Sequence, residues 1–312
     1  MTYANRSKSS IGLLILLVMT MSVLLVSAFV YPPAVPLGWF GRPGLDLGFG
    51  LLSLVGIAVM LPLIRNQYRT IRGYMLTLPC LFGMMALVNP QVLYFTPYHL
   101  AAGALCAASL FYLRYWIREN RSSDLFLTAL CLSVAALAVP YMIWLVFPLL
   151  VMHARKMAYV IAAMVVPWLY HFGYHFLCLD TPCSMWASEF FTRYVLVKEQ
   201  WFSVSLLQLI VLAVFGLIFA RAVLHLFRKE RLLLRPMQWM ALLSILYAMV
   251  CLCGLAMIFE SSFHNPWQLP LLIPTSLIVF DFLHDRFSDY EGWILVILLI
   301  GALLILRAAQ II

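Results

Sequence analysis

The chain has 312 residues, of which 65% are hydrophobic and only 10% are charged. A soluble domain carries about a quarter charged residues and about half apolar ones. This composition, with a mean hydropathy of +0.99, excludes a soluble enzyme, a disordered chain and a disulfide-rich secreted module. The net charge of +8 is better explained by basic loops on one side of a membrane than by nucleic-acid binding, so we expect no nucleic-acid partner.

Charged residues and turn residues divide the chain into a series of apolar runs. Because a transmembrane helix needs about 20 mostly apolar residues, these runs predict an all-α, polytopic transmembrane helix bundle of about 10–11 spans. We expect a single integral membrane domain over residues 1–312, with spans at about residues 11–31, 45–64, 71–88, 98–116, 125–152, 158–177, 202–220, 237–259, 267–282 and 293–308. The first run is longer than the apolar part of a usual signal peptide, which favours a retained span over cleavage after Val26-Ser27-Ala28.

The run at 125–152 carries no charge and contains Pro140, which predicts a break in the helix because proline removes a helical hydrogen bond. The run is either one kinked span or a hairpin of two short helices. A hairpin leaves 16 of the 20 Lys and Arg residues on one side of the membrane, and on the other side only Arg42, Arg193, Lys198 and Arg307. Lys and Arg accumulate in the cytoplasmic loops of membrane proteins, so this distribution favours the hairpin. We therefore expect a multi-pass inner-membrane protein with a cytoplasmic N-terminus and a periplasmic C-terminus.

The predicted outer face collects the residues best suited to metal binding. His171 and His175 stand four apart on one predicted helix, so both rings lie on the same face. This spacing suits two ligands of one metal ion, and Glu260 and His264, also four apart, are candidates to complete the set. The alternative is a belt of amphipathic rings at the membrane interface, which the neighbouring tyrosines favour, and no HExxH or CxxC pattern supports a metal.

Two other features belong to the longest outer loop. Cys178 and Cys183 flank a Leu-Asp-Thr-Pro turn and are candidates for a disulfide if that loop faces an oxidising compartment. The segment at about 184–198 places aromatic residues at helical spacing with polar residues elsewhere around the wheel. That pattern predicts an amphipathic helix lying along the outer leaflet, and the alternative is an aromatic linker.

Asp46 and Glu260 are the candidate catalytic residues, because each lies where an apolar run begins or ends. Ionisable residues in such places are functional candidates, and a partly desolvated carboxylate suits a general base. The simpler interpretation is that each carboxylate terminates a helix at the interface.

The order of features between residues 88 and 169 resembles a family of polytopic inner-membrane proteins from Bacteroidota for which no activity is established. The resemblance is carried by Asn89-Pro90, Tyr112-Leu113-Arg114, the hairpin broken at Pro140, Arg155-Lys156 and Pro167-Trp168. The closing stretch from Leu269-Pro270 to Trp293 is similar to that family too. The resemblance implies a helical membrane fold and no particular reaction.

A weaker likeness, in architecture, is to membrane-embedded glycosyltransferases of the GT-C type and to polysaccharide polymerases. Those enzymes use polyprenyl-linked sugars and an acid at the outer face, often with a divalent metal, and Asp46 stands in the matching place. The likeness therefore implies a lipid-linked glycan as substrate. Residues 31–44 are too short for the soluble insertion that the first outer loop of such enzymes usually carries.

Three functions follow as hypotheses. The first is a subunit, scaffold or lipid-handling component of a cell-envelope process, whose partners are the bilayer and other membrane proteins. The glycosyltransferase alternative requires Asp46, Glu260 and the histidines to meet in one outer cavity. A transporter, the second alternative, requires a polar cavity at the midplane, and a scaffold requires an exposed apolar or small-residue face.

Overall fold

A computed structural model of the protein describes residues 3–32, 39–67, 76–117, 121–178, 206–228, 268–286 and 290–311. Within these ranges the chain forms helices and no strand, which confirms the predicted all-α fold. The helices are α1 (Tyr3–Val30), α2 (Pro43–Gln67), α3 (Thr77–Leu87), α4 (Pro97–Ile117), α5 (Ser122–Ala138), α6 (Phe147–Met152), α7 (Met157–Cys178), α8 (Leu206–Arg228), α9 (Gln268–Arg286) and α10 (Tyr290–Ile311).

Four segments are long and apolar enough to cross a membrane: Ile11–Val30, Pro43–Ile64, Pro97–Ile117 and Ala154–Tyr174. By length and composition they support a membrane protein. Six further apolar segments in the described ranges are shorter, at 10–17 residues. The predicted span at 71–88 is one of these, because the described part is the 11-residue helix α3, and the predicted span at 237–259 lies outside the described residues.

Helices α3 and α4 occupy the centre of the bundle. Helix α3 packs against α1, α2 and α9, while α4 packs against α2, α5 and α9. Nine of the 11 residues of α3 are buried, which suits a helix that is apolar on all sides. It ends at Leu87, and Pro90 starts a 3₁₀ turn, Pro90–Leu93, in which the Asn89 side chain accepts the N–H of Gln91 at 3.1 Å.

The segment from α5 to His153 forms a hairpin that returns to its starting end. Val139 is extended, as expected for a residue before proline, and a 3₁₀ segment, Pro140–Val146, leads into α6. Beyond α6, the His153 ring places Nε2 at 3.2 Å from the Tyr112 hydroxyl and Nδ1 at 3.4 Å from the Tyr115 hydroxyl. Both tyrosines are near the C-terminal end of α4, close to where α5 begins, so the geometry favours a hairpin over one kinked span.

The stability of the protein where His153 meets α4 depends on pH. Burial lowers the pKa of His153 below its usual value of 6.5, and the neighbouring Lys156 cation lowers it further. Below pH 6.5 the unfolded chain therefore binds a proton that the folded protein excludes. The contribution of His153 to stability is present above pH 6.5 and is lost as the pH falls through the folded-state pKa.

We accordingly expect the free energy of unfolding in detergent to decrease between about pH 7.5 and about pH 5. His153→Gln removes the titrating group and retains a side chain that forms hydrogen bonds with hydroxyls, so its decrease should be shallower. Thermal unfolding of both proteins at the two pH values measures this difference. Parallel decreases in the two proteins would show that His153 does not contribute.

The C-terminal helix is joined to the first helix by a buried arginine. Arg307 donates from Nε to the Ser27 hydroxyl at 2.9 Å and from Nη2 to the carbonyl oxygens of Ser27 and Tyr31 at 2.9 and 3.0 Å. These acceptors lie at the C-terminal end of α1, where the helix dipole favours a cation; the Ser27 carbonyl also accepts the N–H of Tyr31 at 2.9 Å. At the other end, a Cβ on Gly12 would lie 3.5 Å from the Trp293 ring, so α1 and α10 run parallel.

Arg307→Ala is expected to lower the free energy of unfolding by on the order of 2 kcal/mol, because it leaves the carbonyls of Ser27 and Tyr31 without their charged donor. Arg221→Ala, at an exposed position of α8, is the matched control and should change stability by less than about 0.5 kcal/mol. Thermal unfolding in detergent measures both. Equal effects of the two substitutions would contradict a specific role for Arg307.

Candidate functional site

Asp46 organises the turn of residues 39–42, which precedes α2. Its Oδ1 accepts the backbone N–H of Phe40 at 2.9 Å, and its Oδ2 accepts that of Arg42 at 3.2 Å. A side chain in the first turn of a helix that reaches back to the residue before the helix resembles half of a capping box. The turn also needs Gly41, whose φ of +64° lies in the left-handed region that residues with a Cβ rarely adopt.

Phe95 is held between this turn and α2 by its own backbone. Its N–H donates to the Asp46 carbonyl at 2.8 Å, and its carbonyl accepts the N–H of Trp39 at 2.9 Å. Phe95, which lies just before α4, is thus hydrogen-bonded through both its N–H and its carbonyl to residues at the start of α2 and in the turn before it. Phe95 cannot move without disturbing the turn.

Aromatic rings surround Phe95 and reinforce the backbone pairing. Its ring stacks on Phe40 with centroids 5.8 Å apart and on Trp39 at 6.0 Å, and it contacts Phe49 at 6.1 Å. The ring of His99 lies 5.6 Å away on α4. We call these five rings the aromatic cluster. The cluster lies at the ends of two candidate spans, where aromatic residues are favoured at the membrane interface.

Both ring nitrogens of His99 form hydrogen bonds with backbone groups. Nδ1 accepts the N–H of Thr96 at 3.1 Å, which requires that this nitrogen carry no proton. Nε2 therefore carries the proton and donates to the Val92 carbonyl at 2.8 Å. The ring is neutral and fixed, and neither nitrogen is available to bind a metal or accept a substrate proton.

The loop before α4 also approaches α2 very closely at Gly50. A Cβ at this position would overlap the Leu93 carbonyl oxygen and lie 2.7 Å from the carbonyl carbon. Only glycine permits this approach of helix to backbone. The contact fixes the loop of residues 90–96 against α2.

Beside this loop, residues on α2, α4 and α5 line an open cavity of about 420 Å³. Its volume is within the range of about 300–1,000 Å³ that is usual for small-molecule sites. Its lining includes Ser53 of α2, Phe95, His99 and Gly103 beside or on α4, and Leu130 and Cys131 of α5. None of the lining residues is charged.

The chemistry of this cavity is that of an apolar binding site. Besides His99, the polar side chains in its lining are the Ser53 hydroxyl and the Cys131 thiol. Leu100, also in the lining, is 43% exposed on a candidate membrane span, so the cavity opens at the apolar surface of that span. The arrangement suits a hydrocarbon chain that enters from the bilayer.

Of the site residues proposed from the sequence, the structure describes the side chains of Asp46 and His171. Asp46 is only 2% exposed and uses both carboxylate oxygens to hold the turn. His171 lies on α7, half-buried, with its ring edge-on to Trp168 at 6.3 Å, and no hydrogen bond or ion pair joins it to Asp46. Outside the described residues lie Glu260, His264, Cys183 and the segment 184–198, and the side chains of His175 and Cys178 are not described either.

These placements leave the catalytic and metal hypotheses as predictions. Within the described part of the chain, no three His, Cys, Asp or Glu side chains come together in a way that would hold a metal ion. The disulfide between Cys178 and Cys183 and the amphipathic helix at 184–198 remain predictions as well.

Sequence reasoning missed the roles of Phe95 and His99. A signal for His99 was present: Thr96-Pro97 is a typical helix start, and the third helical position, which His99 occupies, is where a side chain reaches back to the cap. No local pattern marks Phe95, because its partners lie about 50 residues earlier in the chain.

Comparison with known proteins adds no relative: no family model, no curated protein and no solved structure matches this chain.

Gly50→Ala is expected to destabilise the protein by about 1–3 kcal/mol, because the added methyl forces α2 and the loop apart. Gly56→Ala, on the same helix with open space around the new Cβ, is the matched control. It should be neutral or stabilising by up to about 1 kcal/mol, since alanine is the better helix former. Thermal unfolding of both variants tests the contact, and equal stabilities would rule it out.

Proposed function

We propose that the protein is a multi-pass inner-membrane protein that handles lipid for a cell-envelope process by binding a hydrocarbon chain between α2, α4 and α5. The observation that carries the proposal is the uncharged cavity of about 420 Å³, beside the aromatic cluster at one end of the candidate spans. Apolar chains gain about 0.8 kcal/mol for each methylene moved from water into such a site. A chain that comes from the bilayer gains less, so shape and contacts in the cavity determine the selectivity.

The proposed orientation places the cavity in the periplasmic half of the membrane. Arg114, Arg121, Arg155 and Lys156 gather at the end of the bundle where His153 meets α4. By the positive-inside rule this end is cytoplasmic, and the turn of residues 39–42 is then periplasmic. The same orientation gives a cytoplasmic N-terminus and a periplasmic C-terminus.

The alternatives have less support. A glycosyltransferase needs a carboxylate available to substrate, whereas both oxygens of Asp46 accept backbone N–H groups. A transporter of polar solutes needs polar groups at the midplane, whereas this cavity lies toward one end of α4 and its lining is almost wholly apolar.

Gly103→Phe tests the proposal by filling the cavity. Gly103 lines the cavity and a Cβ there meets nothing within 4 Å, so we expect the added ring to occupy part of the cavity. The protein is reconstituted with a phospholipid that carries a photoactivatable diazirine on one acyl chain, and the labelled peptides are identified by mass spectrometry. We expect labelling of residues 100–104 and 130–134 in the wild type and a severalfold loss in the variant, because the added ring occupies the space that the acyl chain would fill.

Gly216→Phe is the matched control, because it adds the same ring at an exposed position of α8 where a Cβ also meets nothing within 4 Å. It should label like the wild type. Undiminished labelling at 100–104 and 130–134 in Gly103→Phe would contradict the proposed site.

A further inference from the structure

We infer that the turn of residues 39–42 and Phe95 form a roof over the water-facing end of the cavity, and that Asp46 is the latch that holds this roof shut. The inference rests on the proposed function of the cavity, since it concerns how access to that same site is controlled. Asp46 is then a positioning residue that acts through Phe95.

Phe95 connects the turn to the cavity. Its ring is part of the cavity lining, while its N–H and carbonyl are bonded to Asp46 and Trp39. The turn lies between two candidate spans, Ile11–Val30 and Pro43–Ile64, and therefore at the membrane–water interface. Displacement of the turn removes the partners of Phe95 and uncovers the cavity from the aqueous side.

The two sides of the roof are held unequally. On the α4 side, the loop is fixed by both ring nitrogens of His99 and by the close contact of Leu93 with Gly50. On the other side, Trp39 is 52% and Phe40 47% exposed. The movable half of the roof is therefore the turn. It is held by its two hydrogen bonds to the Asp46 carboxylate and by its contacts with Phe95.

The burial of Asp46 supports a latch. A buried carboxylate is costly unless it is paired or hydrogen-bonded. Among the described residues Asp46 has no ion pair, and its carboxylate accepts N–H bonds from Phe40 and Arg42. The positive end of the α2 dipole adds to this stabilisation. The carboxylate and the turn thus hold each other in place, and loss of the carboxylate leaves two turn N–H groups without acceptors.

The test measures access to Cys131, which lines the cavity beneath the roof. Single-cysteine proteins that retain either Cys131 or Cys106 are placed in lipid nanodiscs and treated with a charged, water-soluble methanethiosulfonate. Cys106 is fully buried on the same helix as His99 and reports general loosening of the fold. In the proposed arrangement the bilayer covers the lateral side of the cavity, so we expect the charged reagent to reach Cys131 past the roof.

We expect Asp46→Ala to raise the modification rate of Cys131 roughly tenfold or more, as for the loss of two hydrogen bonds, and to leave Cys106 unchanged. Asp46→Asn keeps one acceptor oxygen and should give an intermediate rate. Trp39→Ala removes the ring stacked on Phe95 and leaves Asp46 intact, and it should also raise the modification rate of Cys131. This variant replaces Asp46→Ala as the test if Asp46→Ala does not fold.

An unchanged Cys131 rate in Asp46→Ala, or an equal rise at Cys106, would overturn the latch. In the latter case Asp46 supports the whole fold and not the roof. The readout uses no lipid probe, so failure of the proposed chain binding and failure of the latch are seen in separate experiments.

Discussion

A buried backbone N–H or carbonyl group is costly unless it is hydrogen-bonded, so each must find a partner inside the protein. Where the turn before α2 meets the loop before α4, that constraint is met by mutual pairing: Phe40 and Arg42 bond to the Asp46 carboxylate, and Phe95 bonds to Asp46 and Trp39. This set of four hydrogen bonds positions the ring of Phe95 and with it one wall of the cavity. The proposed binding site depends on it.

The two ends of α4 have different chemistry. At its start, both ring nitrogens of His99 bond to the loop backbone, the neighbouring rings are aromatic, and the adjacent cavity lining is uncharged. Near its end, Tyr112 and Tyr115 bond His153, and the Lys156 ammonium lies 5.0 Å from the centre of the Tyr115 ring. This difference links the fold to the proposed orientation, because the cation-rich end is suited to the cytoplasm and the apolar cavity at the other end is suited to a lipid chain.

The sequence was sufficient for the helical fold, since long apolar runs and their flanking charges predict helices one run at a time, and Pro140 predicts its break. It was not sufficient for the site. Asp46 was identified as a carboxylate at a boundary, but the choice between a cap and a base depends on where Phe40 and Arg42 place their N–H groups. The role of Phe95 depends on pairing with residues far earlier in the chain, which no periodicity reveals. Gly50 allows a close backbone contact with Leu93, whereas Gly103 borders open space, and only the packing of the helices distinguishes the two.

The proposed lipid chain occupies the space between α2, α4 and α5. A cryo-EM map of the protein in lipid nanodiscs would show this chain. We expect elongated density beside Gly103 and Cys131, continuous with the bilayer past Leu100 and closed toward water by Phe95. Side chains repacked to fill this space, or a water-filled opening past Phe95 in the wild-type protein, would contradict it.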